Sequence, residues 1–294
     1  MRDTARVVAY ARRLDDGDRE DLLAALRGLG AEVTDTASAG TPTYSVLTFG
    51  VELAAQASEV RAGLARWSAA SGVGAALVPA PTYAPGPKLL IMDVDSTLIR
   101  QEVIELLAAH AGSEAEVTAL TEAAMRGELD FTQSLHHRVR ALQGLPATVI
   151  DEVVERIELS DGAEDLVAAY LGAGHRVGVV SGGFSQVLAP LAERLRLSFA
   201  KANDLEILDG VLTGRVAGAV VDGREKERTL RAEAERAGVQ PAAVIAVGDG
   251  ANDLDMLGAA GLGVAFNAKP AVRAVADVAL DLPDLDVVRY FAGL

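Results

Sequence analysis

Apolar positions fall into two rhythms along the chain, and their succession predicts its elements. Residues 5–10, 32–36, 44–51 and 74–78 are short apolar or alternating runs that read as strands. Residues 18–29 and 57–70 repeat apolar positions at three and four and read as helices, the first ended by Gly30. The resulting order, βαββαβ over residues 1–80, is the ferredoxin-like arrangement. Pro79, Pro81, Pro85 and Pro87 then predict a stiff linker over 81–87. Beyond it, the unbroken run 89–92 reads as a strand buried on both faces. Helical spacing follows through 100–158, where Ser113 and Glu116 are placed as a capping box and Pro146 as a first helical residue. Residues 162–171, 184–195 and 224–237 predict helices, 176–180, 243–247 and 262–266 buried strands, and 205–216 a hairpin turning at Asp209-Gly210. The expected fold is α/β: a Rossmann-like parallel sheet core over 88–294 with an inserted helical cap at about 100–158, preceded by the ferredoxin-like unit.

Composition narrows the partners. The 294 residues carry a formal net charge of -15, and no block of Lys and Arg stands out, which argues against nucleic acid and acidic membranes. There are no cysteines, so disulfides and thiolate metal sites are excluded and a cytoplasmic setting is expected. No long apolar segment resembling a signal peptide follows the first residues, and no uncharged apolar run is long enough to span a bilayer. Of 27 basic residues only four are lysine, so a lysine here marks a place where a compact ammonium is wanted. Lys226, in the first turn of a predicted helix, is the one set where a phosphate ligand is needed.

Three buried strands end in polar or glycine-rich residues: Asp93 and Asp95 after the first, Ser181 after the second, Asp249 and Asp253 after the third. In a parallel sheet those ends lie side by side and line the ligand crevice. Taken alone, Asp-x-Asp-Ser-Thr reads equally as a turn with Asx caps, and Asp253 as the cap of a helix beginning near Asn252. Four converging carboxylates would repel one another unless a cation joined them. Oxygen ligands suit a hard ion, and Mg²⁺ is commonly held by one or two carboxylates plus a substrate phosphate. Lys226 and the amides around Gly182, Gly183 and Gly250 would offset a phosphate dianion, so the crevice points to phosphoryl chemistry.

Asp-Val-Asp-Ser-Thr at 93–97, Ser181, Lys226 and Gly-Asp-Gly-Ala-Asn-Asp at 248–253, in that order, resemble the haloacid dehalogenase-like phosphohydrolases. Over 91–268 further stretches are similar to the members that hydrolyse O-phospho-L-serine. These are Glu102, the segment from Glu122 to Phe131, Ser134-Leu135 and Val-Val-Ser-Gly-Gly-Phe at 179–184. The resemblance implies Asp93 as nucleophile and Asp95 as acid and then base. It places Mg²⁺ on Asp93, the Asp95 carbonyl and Asp249, with Asp253 supporting the metal or orienting Lys226. Ser181, Gly182, Lys226 and Asn252 would hold the phosphate. Glu102 would meet the substrate ammonium, Arg138 its carboxylate, and Met125 and Phe131 would form apolar lid contacts. One departure is His136, where many members carry Arg. The implied reaction is the last step of L-serine biosynthesis. Two alternatives stay open: another small phosphomonoester as substrate, and a non-catalytic amino-acid-binding regulator. Residues 1–80 are similar in pattern to ACT-type domains, which implies L-serine as a candidate feedback ligand and pairing into a homodimer; a purely packing role is the other option.

Overall fold

A computed structural model describes residues 3–294, so the first two residues of the expected 1–80 unit lie outside the described residues. The order βαββαβ is observed as β1 (Asp3–Ala11), α1 (Asp16–Gly28), β2 (Ala31–Gly40), β3 (Ser45–Leu53), α2 (Ala57–Ser71) and β4 (Gly74–Pro79). The four strands form an antiparallel sheet ordered β2-β3-β1-β4. Residues of β1 alternate between two cores. Val7 and Ala9 pack with Leu22, Leu26, Val60 and Leu64 of the helices, whereas Val8 and Tyr10 join a cluster that contains Val288 and Phe291 near the far end of the chain. Double burial explains why β1 is almost continuously apolar instead of alternating with polar residues. Across this contact Tyr44 donates a 2.6 Å hydrogen bond to Asp286 Oδ2, and Tyr10 donates to the Ala279 carbonyl at 2.9 Å.

The expected spacer over 81–87 is partly corrected. Ala80–Tyr83 is a helical turn, α3, with Pro81 in its first turn, where the missing N–H costs nothing. Thr82 is fully buried and donates to the Pro79 carbonyl, so the segment packs against the body.

The second sheet has seven strands ordered β11-β10-β9-β5-β6-β7-β8. They are β5 (Leu89–Met92), β6 (Arg176–Phe184), β7 (Phe199–Leu208), β8 (Val211–Ala217), β9 (Val244–Gly248), β10 (Leu262–Phe266) and β11 (Val278–Leu280). All pairs are parallel except β7 with β8. That hairpin turns at Asp209 and Gly210, both with positive φ (50° and 77°), the geometry a tight two-residue hairpin demands. Met92 lies opposite Val179 on one side and Val247 on the other, which brings the ends of β5, β6 and β9 together.

Between β5 and β6 the chain leaves the sheet for α4 (Val103–His110), α5 (Glu114–Met125), α6 (Phe131–Arg140) and α7 (Val149–Glu155), then returns through α8 (Ala163–Gly172). The helices α9 (Ser185–Arg194), α10 (Gly223–Arg236) and α11 (Leu254–Ala259) follow later strands. Two local expectations fail in the cap. Ser113 makes no side-chain cap, its hydroxyl going to the Ala108 carbonyl instead. Pro146 precedes α7 by three residues and is bridged to Val211, since the chain extends there along β8 before turning into a helix. Among the described residues no helix is long and apolar enough to cross a membrane.

Candidate active site

The backbone N–H of Asp93 donates to the Val247 carbonyl at 2.9 Å, extending the ladder one residue beyond β5, and the chain then folds back through 94–98. Asp93 Oδ1 accepts the Val94 N–H at 2.7 Å, and Ser96 takes the left-handed conformation (φ 55°) that tightens the turn. Asp95 is held on both oxygens: Oδ1 accepts the N–H of Val103, the first residue of α4, at 2.7 Å, and Oδ2 accepts the Ser181 hydroxyl at 3.1 Å. A carboxylate at a helix N-terminus is favourably placed against the dipole. Ser181 in turn accepts the Gly183 N–H at 2.7 Å, so it braces Asp95 in this arrangement.

Asp222 caps α10 by accepting the Glu225 N–H, and this start points Lys226 inward. Its ammonium is fully buried and lies 2.7 Å from Asp93 Oδ1 and 2.7 Å from Asp253 Oδ1. The other oxygen of Asp253 accepts the N–H groups of Asp249 and Gly250 at 3.1 and 3.0 Å. Asp253 is thus far more than a helix cap: it fixes both the lysine and the loop that presents Asp249. Burial alone would lower the lysine pKa, but Asp253 and Asp93 outweigh it and the net shift is upward.

Carboxylate oxygens of Asp93, Asp249 and Asp253 lie within 4.8 Å of one another. Asp253 is already committed on both oxygens, which leaves Asp93 and Asp249 to hold a cation; Thr97 donates to Asp249 Oδ1 at 3.3 Å. The carboxyl of Asp95 is directed to Val103 and Ser181, outside this cluster. Burial lifts Asp93 to about 7, with Asp253 adding to the rise and Lys226 opposing it. Burial likewise holds Asp249 well above the ordinary carboxylate range, reinforced by Asp253 and Asp93. A buried cluster of carboxylate oxygens whose acids resist ionising fits a hard divalent ion.

These shifts have a definite sign. A carboxyl raised on folding binds more protons in the native state than in the unfolded one between the ordinary carboxylate value and its raised value, so stability falls as pH rises through that window. In EDTA, melting temperature should therefore drop between pH 5.5 and 8, by the equivalent of a few kcal/mol. Added Mg²⁺ should restore it at pH 8 and do little at pH 5.5. A melting temperature in EDTA that rose over the same interval would contradict this electrostatic picture.

Facing the sheet ends, the cap supplies the other wall. Glu102, at the N-terminus of α4, accepts the Ser96 hydroxyl at 2.6 Å. Burial raises its pKa well above the usual range, and Asp95 adds to the rise. Arg138 on α6 is buried; its Nε donates to the Ser134 carbonyl at 3.3 Å and its Nη1 to the Thr121 hydroxyl at 3.0 Å. Met125, Phe131 and Asn252 line the same pocket, as do Asp93, Asp95 and Gly182. A Cβ on Gly182 would come within 2.5 Å of the Phe131 ring, so only glycine lets the cap close this far. Asn252 Oδ1 is buried without a hydrogen-bond partner. The pocket thus gathers Asp93, Asp95, Glu102, Met125, Phe131, Arg138, Gly182 and Asn252. Ser181, Lys226, Asp249 and Asp253 are absent from its lining, and the contacts above make the first three of them direct neighbours of Asp95, Asp93 and Thr97. Thr121, Ile104 and Leu135 also line the pocket and were not anticipated. For Thr121 a signal existed, since it lies one turn before Met125 on the same helical face.

The family model for haloacid dehalogenase-like hydrolases matches residues 90–258. The chain is 56% identical over 235 residues to a phosphoserine phosphatase of Streptomyces coelicolor, a match covering 80% of this chain and 57% of that protein. It spans little more than half the length of the curated relatives that it matches at this identity. A solved structure titled as a phospho-aspartyl intermediate analogue of phosphoserine phosphatase is 40% identical, with a TM-score of 0.68 over 70% of this chain and 99% of that one. A haloacid dehalogenase family hydrolase from Salmonella enterica serovar Typhi is 28% identical, with a TM-score of 0.86 over 98% of both chains.

Proposed function

The chain belongs to the haloacid dehalogenase-like hydrolase family, and we propose that it hydrolyses O-phospho-L-serine to L-serine and phosphate with Mg²⁺, through an aspartyl phosphate. Residues 88–294 form the catalytic unit on this reading, and residues 1–80 an accessory unit docked through Tyr44 and Tyr10. The observation that carries the choice of substrate is Arg138. The residue is 5% exposed and lines the pocket, yet among the described residues no carboxylate is in ion-pair contact with it. Glu102, Asp95 and Glu105 act on it only from beyond contact, so its buried donors are left for a ligand, and a guanidinium edge donates to a carboxylate through two parallel bonds. Glu102, which lines the same pocket, suits the ammonium of the same amino acid.

Asp93 Oδ1 is committed to Lys226 and the Val94 amide, which leaves Oδ2 to attack phosphorus. As that P–O bond forms, the bond to the seryl oxygen breaks, and Asp95 delivers its proton to the departing oxygen. Its carboxyl suits the task because burial raises its pKa despite the hydrogen bonds from Val103 and Ser181. Asp95 then takes a proton from the water that attacks the acyl phosphate, releasing phosphate and regenerating both acids. Lys226 neutralises charge as it spreads over the phosphoryl oxygens, and Asn252, which lines the same pocket, would offer its Nδ2 donors there. When bound by Asp93 and Asp249, Mg²⁺ supplies the positive charge that keeps Asp93 ionised at neutral pH and offsets the phosphate. With the cap closed the cavity measures about 30 Å³, room for roughly two waters, so substrate entry requires the cap to swing away.

Phosphate release from O-phospho-L-serine, phosphothreonine and phosphoglycolate, each in Mg²⁺ and in EDTA, tests the proposal. A clear preference for phosphoserine that vanishes in EDTA is expected. Preference for phosphoglycolate, which has a carboxylate and no ammonium, would remove the role given to Glu102, and hydrolysis of none of the three would sink the proposal.

A further inference from the structure

We infer that Thr121 is the positioning residue that aims Arg138 at the substrate carboxylate, an inference that rests on the phosphoserine reading above. Thr121 sits on α5, is buried, and lines the pocket. Its hydroxyl has one proton, and that proton goes to the Val117 carbonyl one turn earlier, at 2.9 Å. Only lone pairs remain for the guanidinium, so the Oγ1 that accepts Arg138 Nη1 at 3.0 Å cannot reorient to serve another acceptor. The second tether, from Arg138 Nε to the Ser134 carbonyl at 3.3 Å, comes from its own helix.

The two tethers use different parts of the fork. Nε is tied to α6 and one Nη1 proton to α5, which leaves Nη2 and the second Nη1 proton for a ligand. Nη2 is thus wholly unclaimed, and a guanidinium can give a carboxylate two bonds in parallel. The Phe131 ring, 5.9 Å from the guanidinium carbon, flanks the group without offering a hydrogen bond. Without Thr121 the fork keeps its charge and its place on α6 but is held by the Ser134 tether alone. The unmet Nη1 proton would then compete with the substrate geometry.

The experiment compares kcat/KM for O-phospho-L-serine and for phosphoethanolamine, which keeps the ammonium and the phosphate ester but lacks the carboxylate. Thr121→Val keeps the shape of the side chain and removes the acceptor. The ratio of the two kcat/KM values should fall about tenfold, near the low end of what a hydrogen bond to a charged group is worth, with most of the change in KM for phosphoserine. Thr121→Ser, which retains the hydroxyl, should keep the ratio of the parent, and Thr121→Ala, a second variant should the first fold poorly, should lose it. In an Arg138→Ala background Thr121→Val should leave the ratio where Arg138→Ala alone puts it. Equal losses on both substrates, or a fall in Thr121→Ser as large as in Thr121→Val, would reduce Thr121 to helix packing and overturn the inference. A parent protein with no preference for phosphoserine over phosphoethanolamine would instead overturn the substrate assignment beneath it.

Discussion

Replacing Asp93 with Asn stops turnover, with kcat for phosphoserine falling by at least ~10⁴-fold while the protein stays folded. The amide has the size of the carboxylate, and its oxygen can still accept the Val94 N–H and the Lys226 ammonium that Asp93 Oδ1 accepts at 2.7 Å each. It lacks the second anionic oxygen needed to attack phosphorus. Stability should be retained because Lys226 still has Asp253, and because one of three buried acids crowded within 4.8 Å is removed. At pH 8 in EDTA the melting temperature of Asp93→Asn should equal or exceed that of the parent, since the parent carries there an ionised carboxylate that burial disfavours. The shift on adding Mg²⁺ should shrink, as one of its two proposed carboxylate ligands is lost. Radiolabelled phosphoserine adds a direct readout: acid-quenched parent protein should carry hydroxylamine-labile label, and Asp93→Asn none. Turnover within tenfold of the parent would remove Asp93 from the nucleophile's place.

The convergence of Asp93, Ser181 and Asp249 was legible because it follows from topology: parallel strands that each run out into a polar residue must present those residues along one edge. For Asp253 the sequence offered a metal support, a partner of Lys226 or a helix cap, and the closed loop shows one oxygen on Lys226 and the other on two backbone amides. Ser181, expected at the phosphate, also donates to Asp95 and accepts the Gly183 N–H, a contact that nothing in the sequence indicates. In the cap, the tie between Thr121 and Arg138 joins residues 17 apart on separate helices, and helical periodicity carries no information about which helices meet. The N-terminal unit divides in the same way. Its βαββαβ order was readable, but its docking rests on Tyr44 reaching Asp286 across 242 residues of sequence. The continuous apolar run of β1 was the one local hint that the sheet has a second buried face. Proline content suggested a spacer over 81–87, where the first turn of a helix tolerates proline equally well. The strand β11, three residues long, is too short for any period to register.

Lys226→Met should be the most destabilising single change at the site, costing about 3–5 kcal/mol in metal-free protein at pH 8, a large share of the ~5–15 kcal/mol that holds a typical domain together. The methionine fills the space of the aliphatic stem, so no cavity confuses the result; what disappears is the one cation between Asp93 and Asp253, both buried at 2.7 Å from it. Two uncompensated carboxylates in a dry site are the expensive outcome, more than the pair itself was stabilising. The penalty should depend on pH. Lys226 has a raised pKa and stays charged in the parent throughout the neutral range, whereas Asp93, lifted to about 7, is largely protonated at pH 5.5. With Asp93 neutral the loss of the lysine strands less buried charge, so urea denaturation in EDTA should show a smaller loss at pH 5.5 than at pH 8. Adding Asp253→Asn to Lys226→Met should recover part of the stability at pH 8, because the amide oxygen can still accept the Asp249 and Gly250 N–H groups while the buried charge is gone. None of this recovers turnover, since the phosphoryl oxygens have lost their cation. A loss below about 1 kcal/mol at both pH values would mean that water reaches the site and screens the pair, and that the fully buried lysine owes its place to catalysis alone.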